Sequence, residues 1–244
     1  MHNGILTVGG VKSSDYGIYV LDVNDGDMPR RDYTAYSVPG RSRDLHYDNG
    51  RYDNIIRMYK CVVLDSAYGK TDAVITDFVG RIMKLKGYQR IESTLHPEHY
   101  KIGEFTGELE PVYGKTKNAA RIDLQFDCDA RKYLIEGEVV ITLNAGTTTV
   151  YNPGTEDAAP LFTVTGNGSI GIGSKMITIS DNPGTMIIDC EIGDAYSQAA
   201  HTNYNEYVTL TSTDYSFPVL EPGMNSILVS GLSTCLMVPR WCKL

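Results

Sequence analysis

Beyond Glu138 the helical period disappears from this chain, and that loss constrains its fold more than any other feature. What remains is a series of short runs: Val139 to Thr142, Leu161 to Thr165, Met176 to Ser180, Met186 to Glu191, Tyr207 to Thr211 and Ser226 to Val229. Between them stand Pro153-Gly154, Gly166-Asn167-Gly168, Pro183-Gly184 and Pro222-Gly223. Short alternating runs with Pro-Gly and Asn-Gly punctuation predict strands joined by tight turns. Strands at this spacing predict a β-sandwich.

The half before it reads differently. Residues 4–9, 16–23 and 58–64 predict strands, as do the regions around 100–112 and 119–128. A turn over Gly114-Lys115-Thr116-Lys117-Asn118 separates the last two. Residues 24–54 are rich in Asp, Arg, Gly and Tyr and predict strand-and-loop with a long projecting loop. One helix is expected, over about 71–86. Val74, Ile75, Phe78, Val79, Ile82 and Met83 follow the i, i+3, i+4, i+7 spacing of one apolar face. Asp72 and Asp77 stand toward its start, Lys84 and Lys86 toward its end, and Gly87 reads as its stop.

Charge marks the same division. Residues 1–135 hold 19 Lys+Arg and 19 Asp+Glu, whereas 136–244 hold 3 and 11, so the whole net charge of −8 lies in the second part. Two domains are therefore expected, 1–135 and 136–244. A module with three basic residues cannot neutralise a phosphate backbone, which argues against nucleic acid as its ligand. Cys61, Cys128, Cys190, Cys235 and Cys242 are odd in number and form no Cys-x-x-Cys pair, which predicts reduced thiols in a protein made in a cytoplasm. No apolar run is long enough for a membrane helix, and the segment from Met1 lacks the basic and apolar regions of a signal peptide. Seventeen Tyr against five Phe suit both interfaces and a β-rich chain.

Motifs that could carry chemistry each meet a plainer reading. Gly166-Asn167-Gly168-Ser169-Ile170-Gly171 has the letters of a dinucleotide fingerprint, but Ile172 to Ser180 alternates as a strand and supplies no helix N-terminus for a pyrophosphate. Gly168 to Lys175 resembles a phosphate loop, yet Ser174 precedes Lys175 where the motif needs the reverse. Asn167-Gly168-Ser169 is a glycosylation sequon without a secretory context. His96 and His99 flank Pro97, and a surface turn outweighs a metal pair because no second ligand cluster completes a site. Asp189 and Glu191 could serve a two-carboxylate glycosidase, but acidic residues on a solvated strand face are commoner. No Gly-x-Ser-x-Gly or His-Glu-x-x-His occurs. The chain is read as no enzyme: no catalytic, cofactor-binding or metal residue is assigned.

Read in order, the segments resemble a known family. They are Pro39-Gly40-Arg41-Ser42-Arg43-Asp44-Leu45, Asp48-Asn49-Gly50-Arg51-Tyr52-Asp53-Asn54, the single helix, His96-Pro97-Glu98-His99-Tyr100 and Gln125-Phe126-Asp127-Cys128. They continue with Tyr151-Asn152-Pro153-Gly154, Thr163-Val164-Thr165-Gly166-Asn167-Gly168, Ile188-Asp189-Cys190-Glu191, Pro222-Gly223-Met224-Asn225-Ser226-Ile227 and Pro239-Arg240-Trp241. Together they resemble the distal tail proteins of long-tailed phages and prophages of Gram-positive bacteria, with departures at His96, where an Asp is expected, and at Ala130, near where a Pro often stands.

The resemblance implies a mainly β chain. Its N-terminal domain would be a split β-barrel with one α-helix, and its C-terminal domain a galectin-like or carbohydrate-module-like β-sandwich. It also implies a structural virion protein at the tail tip, made in the bacterial host cytoplasm. Six copies would form a ring joining the tail tube protein to the tail-associated or tail-fibre hub protein. The sandwich would point outward to dock receptor-binding proteins or touch cell-wall glycan. No membrane and no specific nucleic-acid contact is implied. The competing reading is a carbohydrate-binding module, with Tyr196, Tyr204, Tyr207 and Tyr215 as a candidate stacking platform. Trp241 is expected in a closing strand, packed into the sandwich core or against the N-terminal domain.

Overall fold

The structure, a computed structural model, describes residues 4–64, 70–107, 109–115, 118–199, 201–211 and 215–244. The first three residues of the segment read for a signal peptide, and Thr116 and Lys117 of the turn expected at 114–118, lie outside the described residues. The chain divides into two compact units, 1–132 (joined by Leu244) and 133–243. It is mainly β, with one α-helix among the described residues.

In the first unit the strands are β1 (Leu6–Val8), β2 (Val11–Lys12), β3 (Ile18–Val23), β4 (Arg31–Tyr36), β5 (Leu45–Tyr52) and β6 (Ile55–Leu64). Helix α1 (Thr71–Ile82) follows, then β7 (Gln89–Ser93), β8 (His99–Phe105), β9 (Val112–Tyr113) and β10 (Ala119–Cys128). An antiparallel sheet runs in the order β2-β1-β7-β8-β10-β6-β3. It curls far enough that Gly4, just before β1, pairs with Val20 in β3 through two backbone hydrogen bonds of 2.8 Å. The longest ladder sets Ala119–Cys128 against Ile55–Leu64 with no slip. Alternation puts Tyr59, Cys61 and Val63 on the inner face with Ile122, Leu124 and Phe126. Among the described strands, β4 and β5 pair only with each other.

Helix α1 covers this core with Ile75, Phe78 and Ile82, and Phe78 meets Tyr16 at 5.3 Å between ring centres. The helix is shorter than expected. After Ile82 the chain tightens into i→i−3 bonds, Lys84 N–H to Arg81 and Leu85 N–H to Ile82, which swing Leu85 against the core. Met83 is consequently exposed, and Lys84 and Lys86 fall outside the helix; Arg81 is the cation of its last turn and pairs with Asp77 at 3.7 Å. The strand expected over 100–112 also breaks, at Phe105, because Thr106 donates its N–H to Gln125 and Gly107 takes φ +84. Val112–Tyr113 then forms a separate short strand.

The chain changes unit within β11 (Lys132–Leu134). In the second unit follow β12 (Ile141–Thr142), β13 (Gly146–Asn152), β14 (Leu161–Thr165), β15 (Gly168–Ile172), β16 (Lys175–Ile179), β17 (Met186–Asp189) and β18 (Asp194–Ser197). The last are β19 (Thr202–Asn203), β20 (Val208–Thr211), β21 (Gly223–Ser230), β22 (Thr234–Val238) and β23 (Cys242–Lys243). One sheet has the order β12-β22-β14-β17-β18-β19 and the other β13-β21-β15-β16-β20. Their inner faces enclose one core, with Phe162, Val164 and Ile188 from the first and Ile170, Ile177 and Ile227 from the second.

Ile172 to Ser180 is not one strand, as its alternation predicted. Gly173 at φ +59 and Ser174 turn the chain between β15 and β16, so the segment closes a hairpin. Trp241 joins the sandwich core at 5% exposure. The expected closing strand is interrupted there, because Arg240 adopts φ +60 between β22 and β23.

Candidate functional site

The first candidate is the hairpin of β4 and β5. Tyr33 opposes Asp48, Thr34 opposes Tyr47 and Tyr36 opposes Leu45. Arg31 pairs with Asp48 at 2.8 Å, Arg51 with Asp32 at 2.6 Å, and the Tyr33 and His46 rings stack at 4.3 Å. No residue of either strand is buried, while Tyr36, Leu45 and Tyr47 stand more than half exposed. The loop predicted over residues 24–54 is therefore largely a paired two-stranded arm. Two strands alone are marginally stable at best in water. Apolar and aromatic groups displayed on such an arm fit contact with another chain.

The root of the arm is tied down by buried charge. Asn24 accepts the N–H of Met58 through its side-chain oxygen at 2.6 Å, and Arg57, only 1% exposed, donates to the Asn24 carbonyl at 3.2 Å. Next to it the Asp25 carboxylate lies 2.5 Å from Lys101 Nζ and 3.2 Å from His99 Nε2, and Lys132 Nζ donates to the Asp25 carbonyl at 2.9 Å. Burial works to raise the Asp25 pKa, but the hydrogen bonds from His99 and Lys101 and the nearby positive charge outweigh it and hold the carboxyl far below its usual range. His96, Pro97 and Glu98 do form a turn. His99 does not belong to it: it opens β8 and is buried, with His96 stacked on it at 5.5 Å. Alternation along β8 turns His99 inward with Lys101 and Gly103, which the His-Pro-Glu-His motif alone did not disclose.

In the sandwich, Asp189 and Glu191 are not two solvated carboxylates. Arg240 grips Asp189 with two bonds, 2.7 and 2.9 Å, and reaches Glu191 at 3.3 Å. Burial raises the Asp189 pKa, but the bonds and charge of Arg240 exceed that and leave it lowered. The positive φ of Arg240 turns its side chain to this pair.

The remaining motifs resolve into architecture. Gly166, at φ +84, turns the chain between β14 and β15. A side chain at Gly168 would strike the Ser230 carbonyl, so this glycine serves a close backbone crossing. Tyr204 and Tyr207 meet edge-on at 89° and pack on the core, Tyr215 is 78% exposed, and Tyr196 is half-buried in β18, so Tyr204 and Tyr207 do not lie flat side by side. All five cysteines are buried and free, and burial pushes Cys61, Cys128 and Cys190 up to about 12 and Cys235 up to about 11. Such thiols stay protonated at neutral pH. No group of three or more His, Cys, Asp or Glu among the described residues is placed to hold a metal ion. No described helix is long and apolar enough to cross a membrane.

No protein-family model matches the chain, and no curated protein matches it by sequence. Solved structures do match its fold. One is SPP1 Dit (gp 19.1), described as a paradigm of the hub adsorption apparatus in phages that infect Gram-positive bacteria. It aligns with a TM-score of 0.72 at 13% identity, over 96% of this chain and 97% of that one. Two others come from the phage p2 baseplate in its activated conformation, with strontium and with calcium. Their TM-scores are 0.52 and 0.51 at 9% and 8% identity, over 96% of each chain. With 96% of this chain covered in each match, the shared fold takes in both of its units.

Proposed function

We propose that this chain is a distal tail protein, a structural virion component at the tip of a long phage or prophage tail. Six copies close a ring that joins the tail tube to the tail-associated hub protein. The N-terminal part, about 1–135, makes the ring, and the sandwich, about 136–244, faces outward and docks host-adhesion proteins. The observation that carries this reading is the near full-length match in fold to SPP1 Dit.

Two features of the chain support the division of labour. The arm of β4 and β5 exposes both faces and gains from a neighbouring subunit the cover it lacks in its own. A contact of one patch with a different patch on the next copy closes into a ring when the rotation permits. Balanced charge in the first part lets neighbours approach without net repulsion, whereas the −8 of the second part favours the periphery. The glycan-binding reading lacks comparable support, since Tyr204 and Tyr207 meet edge-on and pack on the core. Negative-stain imaging of the purified protein at high concentration, and of tails that contain it, tests the proposal. A six-fold ring with a central channel is expected. A strict monomer in solution with no such ring in tails overturns it.

A further inference from the structure

Among the described residues, the outer face of the five-stranded sheet carries no charged side chain. Alternation places Thr147, Thr149 and Tyr151 of β13 on this face, and the outward positions of β21, β15, β16 and β20 are Met, Leu, Ser, Thr or Gly. Two apolar rows cross it. Tyr151 opposes Met224, and they are 61% and 72% exposed. Leu228 and Met176 flank Gly171, which lacks a side chain and lets both lie within 3.8 Å of where its Cβ would stand. Exposed acidic side chains sit instead at the two ends of the sheet, with Asp157 and Glu221 beyond the Tyr151–Met224 end, where the half-buried Lys175 is bonded to Ser216, and Asp181 and Glu206 beyond the other.

From this arrangement we infer that the outer face of the five-stranded sheet is where another tail protein docks, through a patch that is apolar at its centre and basic at its ends. Charge complementarity selects that occupant. The acidic ends would repel a second copy of this sandwich and any anionic surface, while Lys or Arg on a partner would meet them. Size argues that the contact works in numbers. Five strands about 4.8 Å apart and some six residues long present roughly 400 Å² in plan. Stable interfaces bury about 800 Å² on each partner, so one face alone binds weakly. A ring that displays several faces to one assembly converts weak contacts into firm attachment. The inference rests on the tail-hub reading and adds to it the face and the chemistry of the partner.

The test places a photo-reactive phenylalanine analogue at Ser226, between Met224 and Leu228, and separately at Tyr47 on the arm. Both proteins are assembled into tails, irradiated, and the products identified by mass spectrometry. The Tyr47 probe should link copies of this chain to one another. The Ser226 probe should link it to a different tail protein, at an apolar segment flanked by Lys or Arg. Leu228→Glu and, independently, Leu228→Gln should keep the melting temperature and the Tyr47 cross-links. Leu228→Glu should cut the Ser226 cross-link by roughly tenfold, and Leu228→Gln by less. A Ser226 probe that links only to other copies, to glycan, or to nothing while the Tyr47 probe still reports copies joined overturns this inference and leaves the ring intact. Loss of the Tyr47 cross-links in the unsubstituted protein strikes the tail-hub reading itself.

Discussion

Two hairpins of this chain use the same local chemistry and meet opposite fates. In β15 and β16, alternation sends Ile170, Ile172, Ile177 and Ile179 into the sandwich core. In β4 and β5 the same alternation finds no core on either side, and the strands are held by ladder bonds and exposed polar and ring contacts, among them two ion pairs, the bond from Asn49 to Asp32 and the Tyr33–His46 stack. Exposed ion pairs contribute at most about 1 kcal/mol each. A buried isoleucine contributes about 2–5 kcal/mol on the evidence of truncation to alanine. The first hairpin is thus stabilised within its own unit. The second lacks that support, and in the proposed ring a neighbouring subunit would supply it.

Substitutions separate the two kinds of region by the size of their effects on the free subunit. Trp241→Ala should be the most damaging, by about 3–5 kcal/mol, because it empties a site in the sandwich core. Ile177→Ala should follow at about 2–4 kcal/mol, both read by denaturant melts followed through circular dichroism. A Trp241→Ala protein with unchanged melting and lost glycan binding would reverse the reading of that residue. Arg240→Ala should cost roughly 2 kcal/mol, since it leaves the buried Asp189 without its two bonds while Arg240 itself keeps 22% exposure.

Acid should loosen the root of the arm. The folded Asp25 pKa lies below its unfolded value, so its contribution is complete above the ordinary carboxylate range and is lost as pH falls through that range toward the folded value. Melting temperature should therefore fall below about pH 4, and Asp25→Asn should flatten that part of the profile while lowering stability at neutral pH. Asp189, also lowered, contributes with the same sign, so the Asp25→Asn profile should retain a shallower slope. The smallest effect belongs to the arm: Tyr47→Ala should change subunit stability by less than about 0.5 kcal/mol. A large loss would mean that the arm is supported by its own subunit after all.

The sandwich was legible because its punctuation is chemical. Gly166 and Gly168 mark a turn and a close crossing where a side chain would meet Ser233 or the Ser230 carbonyl, whereas the turn at Gly173 was hidden inside an alternating run. Strands with weak alternation were not legible. Gln89–Ser93 contains one apolar residue, and Gly146–Asn152 opens on Gly and three Thr, yet ladder partners hold both in place. The end of α1 was not legible because the apolar period and the i→i−4 bonding both run to Met83, and the tightening that follows at Lys84 and Leu85 has no apolar signature. Long-range charge pairs left no local trace. Asp25 meets Lys101, and Asp189 meets Arg240, across stretches that no motif spans. The arm lay between, since its pairing was hidden in a segment whose polarity resembles a loop.

The central claim is that the arm builds the ring and does little else. The direct measurement is light scattering over a wide concentration range on the intact chain and on a variant in which residues 32–51 are replaced by a two-residue Asn-Gly turn, with both also imaged by negative stain. The account predicts a concentration-dependent rise to six subunits for the intact chain, and for the trimmed variant a monomer at every concentration with an unchanged melting temperature. Rings of equal population in both proteins, or an intact chain that never assembles in solution or in tails, would contradict it.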